Sequence, residues 1–592
     1  MFDRWALRIL LLVVGGVPLL FVLDLKDTFD LPKMVFVYLS VMVLAGLWGW
    51  EALEKKEIHY RPTPLNRPLA AFLILAFISA YYSIEPMLSF WGAYRIYVFG
   101  CFPMSAFAAL YWFSAQIQDA TYGEKIRRAA MISGALVGLY ALLQYYGVEP
   151  FERMPGAQGG RPWGSLGNPL YMGALCMMAV ALGLFEWRGF WVTPFALATV
   201  GLILSLSRSA WFGFLAAFML CALKYKKSVK SGYKAIGFLF IAIGMLFWVF
   251  PLARERALVL VSTHEGSNAA RVAGWKGALE VLKDHPWLGA GPDTFFVAFR
   301  PHRSFEYVHA TGSGVTQADA HNDILQVVST MGVIGLGAFL WVLGVAARLL
   351  WRSARLKPDR NDERWKIGMA AALSALFIQN QFNFSSVSTT AWAAVFLGAL
   401  AGCEGERKRV VLPLWVHVGV ARVILIGIFF LALGFIGRPL LADFYHQEGL
   451  ASAAGGRLEK SVHYHREAVH LHGRIAEYET EYANRCRDTG RFEEAWATAE
   501  RLVRDHPANP DVWNNRGVVA MWITQMAKIN RMADAEASFR HAVDLDPLFV
   551  DAWANLARWE HLAGHLDKEN ALWEKVLEIN PTHEMARQVL HR

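Results

Sequence analysis

Apolar runs of roughly twenty residues, separated by short charged connections, recur from the N-terminus to about residue 437 and leave the chain little choice of fold. An amide or carbonyl left unpaired in hydrocarbon is too costly to tolerate, so each run must close its own hydrogen bonds as a helix. The runs lie near 6–23, 34–50, 68–83, 95–114, 129–146, 169–186, 190–207, 209–223, 235–252, 327–349, 367–383, 388–403 and 414–437, which predicts about thirteen crossings. A content of 55% hydrophobic and 14% aromatic residues over 592 positions agrees with a polytopic membrane protein. The first run follows Arg4 and Arg8 and is not trailed by a small-residue cleavage site, which predicts an anchor and not a removed leader.

The formal charge of +8 does not point to nucleic acid, because Lys and Arg gather in short connections and form no basic face. They fall on alternate connections, at Lys55, Lys56, Arg61 and Arg67, at Lys125, Arg127 and Arg128, from Lys224 to Lys234, from Arg348 to Lys366, and at Arg407 to Arg409. The positive-inside rule makes these cytoplasmic and turns the opposite connections outward, among them 24–30, 148–168, 207–209 and 254–326. An odd number of crossings then leaves everything after 437 outside. Five cysteines, scattered without CxxC spacing, predict neither a disulfide framework nor a zinc site.

From 440 to 592 the apolar runs shorten and a repeat begins. Pro547 and Pro581 lie 34 residues apart, whereas Pro507 and Pro547 lie 40 apart, one repeat plus an insertion near Thr524–Asn530. Asp511-Val-Trp513 and Asp551-Ala-Trp553 open successive helix pairs. This predicts a tetratricopeptide-like solenoid of three or four units, serving as a spacer or as a binding groove. The domains are therefore 1–439, a membrane bundle with one large outward loop at 254–326, and 440–592, the repeats.

Within that loop, 268–283 reads as an amphipathic helix carrying Val272, Trp275, Ala278, Leu279 and Leu282, ended by Pro286, with Gly289 and Gly291 allowing a tight turn. Residues 311–320 are small and polar and predict a loop that delivers His321 and Asn322 to the next span. Arg208, in LSLSRSAWFGF, sits between two runs with almost no loop; an arginine inside a bilayer costs about 2.5–3.5 kcal/mol and marks function unless it snorkels to the surface. Arg271 carries a five-donor fork suited to phosphate oxygens, although a surface arginine needs no such role. His321 brings an imidazole, the side chain suited to proton transfer near neutral pH, and can act as a base, although interfacial histidines are commonly structural.

Taken together, SRSAW at 207–211, RVAGWKGALEVLKDHPWLGAGPDTF at 271–295, AHNDILQVVSTMGVIGLGAFL at 320–340 and GRPWGSLGNPLYMGA at 160–174 resemble the O-antigen ligase superfamily of bacterial membrane glycosyltransferases, which includes polymerases and protein O-oligosaccharyltransferases. The resemblance runs to about residue 403. It implies an all-α, GT-C-like bundle in the cytoplasmic (inner) membrane that transfers a glycan from an undecaprenyl-diphosphate carrier to an acceptor lipid, envelope polymer or protein on the outer face. It further implies that Arg208 and Arg271 hold the diphosphate, with Arg161 and Asn322 as further substrate contacts and His321 as base. No cofactor and no metal are implied. Two guanidiniums can stabilise the departing diphosphate without a metal, and attack from the face opposite it would invert the anomeric centre.

Asp319 and Asp323 are the carboxylates that would replace His321 as base. A metal-dependent alternative would use Asp24, Asp27 and Asp30, whose plainer role is to cap the following helix. Rival functions are a polymerase using the same donor class, a transporter of lipid-linked sugars, for which the membrane part lacks internal symmetry, and a non-catalytic anchor for the repeats.

Overall fold

The computed structural model describes residues 2–151, 161–184, 189–224, 244, 266–356, 361–413, 417–473 and 475–591. The expected span at 235–252 lies outside the described residues, apart from position 244. Every other expected span falls on a helix: Phe2–Gly16, Asp30–Lys55, Asn66–Tyr81, Cys101–Gln116, Tyr122–Tyr145, Pro169–Leu182, Val192–Leu204, Arg208–Lys224, Asp323–Ser353, Asn361–Gln379, Val387–Gly402 and Val418–Ala454. Asp30–Lys55, Tyr122–Tyr145, Asp323–Ser353 and Val418–Ala454 are each long and apolar enough to cross a membrane unaided. Between the helices the interior is packed with Leu, Ala, Met and aromatic side chains, and the buried Trp392 indole donates to the Val14 carbonyl at 2.8 Å.

The all-α expectation needs an amendment. Glu57–Tyr60 and Lys408–Val411 pair as short antiparallel strands, with His59 opposite Arg409. Their side chains stay partly or fully exposed, so the apolar patterning on which the expectation rested carries no trace of them. The pair gathers basic connections at one end of the bundle, where Arg61 also donates to the Gly402 carbonyl and Arg352 meets Glu404.

At the opposite end, the helix Asp323–Ser353 is broken at Gly332, whose φ is 66°. The break releases carbonyls, and the segment 286–291 runs across to take them up. Ala290 and Gly291 amides donate to Ser329 and Thr330, at 3.1 and 2.9 Å, and the Val333 amide donates to Pro286 at 2.9 Å. A Cβ at Gly289 would enter the backbone at Thr330 and Met331, and one at Gly332 the backbone of Trp287. Both glycines serve this backbone-on-backbone crossing.

The helix Val418–Ala454 runs without interruption through the expected domain boundary, with Pro439 inside it. Its C-terminal part packs against Leu458–His472. Hairpins follow from Ala476–Asp488 with Phe492–Asp505, Pro510–Trp522 with Met532–Leu545, and Val550–Leu562 with Leu566–Ile579, and Glu584–Leu590 closes the stack. Asp511 and Asp551 do open successive pairs. The indoles of Trp513 and Trp553 donate to the carbonyls of Pro507 and Pro547, at 2.8 and 3.0 Å, one bond repeated unit to unit. The insertion is a π turn, Ile523–Ala527.

Candidate active site

Helices Val192–Leu204 and Arg208–Lys224 meet in a turn with almost no connecting chain, made possible by Leu206 at φ 53°. The turn's polar groups are occupied: Ser205 Oγ donates to Leu202 O at 2.7 Å, and the Ser207 amide donates to Ser205 Oγ at 3.1 Å. Arg208 therefore opens a helix at the end of the bundle opposite the strands. A cation beside the positive end of a helix dipole makes a place where an anion is favoured. Arg161 reaches the same turn from the 161–168 connection, its Nη2 donating to the Ser205 carbonyl at 2.9 Å.

Arg271 comes from the helix Gly266–Asp284. Asn268 Oδ1 accepts from Arg208 Nη2 at 3.0 Å and from Arg271 Nη1 at 3.3 Å, so two guanidiniums from distant segments converge on one oxygen. The Nε of Arg271 is buried and lacks a hydrogen-bond partner. Burial, then the Arg208 charge, pulls the Arg271 pKa down, while Asp319 pulls it up; two cations and a carboxylate thus share one neighbourhood. The buried face of this helix is the expected one only in part, since Trp275 and Leu282 are half-buried as well. Ala273, Ala278 and Val281 are buried, while Val272 and Leu279 are each 47% exposed. The cause is glycine: Gly274 and Gly277 let Gln317 and Phe299 close on the helix, so its small-residue side becomes the inner one.

His321 has φ 50°, which turns its ring back towards Asp319. Its Nδ1 lies 2.7 Å from Asp319 Oδ1, which also accepts the His321 amide at 2.7 Å. An ionised Asp319 fixes the proton on Nδ1 and leaves Nε2 as the free acceptor, the arrangement that a histidine base requires. Phe384 packs on the ring, centroid to centroid 4.9 Å. Asn322 caps the helix that follows: its Oδ1 accepts from the Ile324 and Leu325 amides at 3.0 and 2.9 Å, and its Nδ2 donates to Gln381 O at 3.1 Å. Asp323 accepts from Asn380 Nδ2 at 3.0 Å, and Asn383 Nδ2 donates to Ser209 Oγ at 3.3 Å, so 380–386 ties the helix that follows His321 to the one that Arg208 opens.

The sequence reading missed Asn268, the role of Asp319 as the histidine's partner, and the 380–386 segment. The last had a signal: Asn380, Gln381, Asn383, Ser385 and Ser386 crowd between two apolar runs. In the connection 24–30 Asp27 is a cap, its carboxylate accepting from the amides of Asp30 and Leu31, both at 3.0 Å.

The loop 295–318 packs against the repeats. Arg303 makes a two-point bond to Asp546, with Nη2 at 2.6 Å and Nε at 3.3 Å, and its Nη1 donates to the carbonyls of Ser313 and Val315, both at 3.2 Å. Arg300 reaches Asp546 at 2.9 Å and Asp511 at 2.8 Å. Phe299, Tyr307 and Ala320 share a core with Leu548, Val550 and Trp573. Beside it lies a cavity of about 900 Å³, walled by Met34, Trp91, Tyr97, Phe435, Tyr478 and Thr316 among others.

A family model described as O-Antigen ligase matches residues 193–340, a stretch that includes Arg208, Arg271, His321 and Asn322 but not Arg161. The chain is 27% identical over 327 residues to an O-antigen ligase of Pseudomonas aeruginosa, covering 52% of this chain and 73% of the relative. Among solved structures, a crystal structure of MamA is 17% identical, covering 24% of this chain and 80% of its own at a TM-score of 0.21. Pseudomonas aeruginosa PilF is 19% identical, covering 26% and 68% at a TM-score of 0.23. Over residues 193–340 the chain is thus similar to the O-antigen ligase family, and an array of helical hairpins follows from residue 476.

Proposed function

We propose that the protein transfers a glycan from an undecaprenyl-diphosphate carrier to an acceptor on the outer face of the bacterial cytoplasmic membrane, with inversion and without a metal. Membrane domain 1–439 would carry the reaction, and repeats 440–592 would stand outside. The observation that carries the reading is the convergence of Arg208 and Arg271 on one oxygen, beside a histidine held by a carboxylate. In this reading the diphosphate oxygens take the place of Asn268 Oδ1 and meet both guanidiniums, which stabilise the charge that develops as the carbon–oxygen bond breaks. His321 Nε2 removes the proton of the acceptor hydroxyl as it attacks the anomeric carbon. Asp319 orients the ring and stabilises the imidazolium. Arg161 holds the turn that aims Arg208, and Asn322 holds the end of the helix that follows His321. The acceptor would approach from the cavity that Thr316 and Ala318, on the segment leading to His321, help to wall, where the hydroxyls of Tyr97 and Thr316 are buried without a hydrogen-bond partner.

The test is equilibrium binding of the lipid-linked donor together with its transfer, in the presence of a chelator. Arg208→Ala and Arg271→Lys are both expected to weaken donor binding and turnover, the lysine because an ammonium keeps the charge and loses the fork. Normal transfer by Arg271→Lys would remove the fork from the account. Chelator-sensitive transfer restored by a divalent ion would move the chemistry to a metal.

A further inference from the structure

The repeats touch the segment that carries the base, and they do so with buried charge. Asp546 lies between two repeat helices with its side chain wholly buried, and Arg303 is 1% exposed. Arg303 does two things at once: its Nε and Nη2 engage Asp546, while its Nη1 holds the carbonyls of Ser313 and Val315. Those carbonyls stand six and four residues ahead of Asp319, the partner of His321. Ala320, between that pair, is fully buried in a core completed by Leu548, Val550 and Trp573 of the repeats. A small, polar, glycine-containing stretch such as 312–318 has little packing of its own to fix it.

We infer that the repeat array is a working part of the catalytic site: Asp546, acting through Arg303, is a positioning residue that holds the 313–321 segment so that the Asp319–His321 pair stands in register with the arginines. The inference rests on the reading of His321 as base, but its mechanical half does not. The array is then neither a spacer nor only a groove. A base displaced by about 1 Å loses on the order of a hundredfold in rate, so a clamp this far from the chemistry governs turnover.

The experiment compares full-length wild type, Asp546→Asn and the double variant Arg303→Met with Asp546→Leu, by hydrogen exchange of the 312–321 peptide and by transfer kinetics. The double variant takes one charge of each sign out of the buried cluster and leaves Arg300 its second partner, Asp511, so unchanged protection across the repeats separates loss of the clamp from unfolding of the array. The expected result is faster exchange at 312–321 with unchanged protection across 476–505, a kcat lowered about a hundredfold and a donor KM within about twofold of wild type. Unchanged exchange at 312–321 in the double variant would overturn the clamp. Faster exchange with undiminished kcat would overturn its role in catalysis. If transfer proved to be the wrong reaction for the wild type as well, the exchange result would still decide the clamp.

Discussion

Asp293, in the GPDTF motif, illustrates how single residues here work through burial. Its carboxylate accepts the Ala93 amide at 2.6 Å and so joins the 286–294 segment to the 92–100 connection. Burial raises its pKa from 3.8 to about 7, against the pull of that hydrogen bond. An acid whose folded pKa is raised lends stability that is fully present below its unfolded pKa and is lost as pH climbs through the folded one. Unfolding temperature in detergent should therefore fall between about pH 4 and pH 7, and Asp293→Asn should flatten that slope while keeping an acceptor for Ala93. Equal slopes in the two proteins would show that Asp293 is not the group responsible. The same scale marks what sequence could reveal of the site. Arg208 and His321 were legible because charge or imidazole beside an apolar run is conspicuous. The bond from His321 to Asp319 was not, since it depends on a backbone angle of φ 50° that no local pattern announces.

Among the elements, the broken helix Asp323–Ser353 decides where the segment 286–291 is anchored, and its glycines are not equivalent. Gly332 has positive φ and faces the Trp287 backbone, whereas Gly337, in the same helix, has open space around its Cα. Gly332→Ala should cost about 2–4 kcal/mol through strain and collision, while Gly337→Ala should be neutral or stabilise by about 0.5–1 kcal/mol. Thermal unfolding of the two variants checks this, and a similar shift in both would contradict the backbone crossing. The positions of the helices themselves were readable from hydrophobic runs, and Pro286 with Gly289 and Gly291 announced the turn. The break at Gly332 was hidden, because TMGVIGLGAFL keeps an uninterrupted apolar pattern while the hydrogen bonds move to another segment.

In the whole molecule, basic connections and the strand pair stand at one end, and the arginines, the histidine and the repeats at the other. The repeats were visible from proline spacing and the recurring Asp-x-Trp openings. Their docking was not, because the contact of Arg303 with Asp546 spans 243 residues and each partner reads as an ordinary surface charge. The central claim is that one end of this molecule separates donor binding, by Arg208 and Arg271, from proton removal, by His321. The most direct measurement is made on His321→Ala in its native membrane, following both donor affinity and transfer of a labelled lipid-linked glycan. The account predicts donor affinity within about twofold of wild type and transfer lowered by about 10²–10⁴-fold. Near-normal transfer across neutral pH would contradict it and pass the role of base to Asp319 or Asp323.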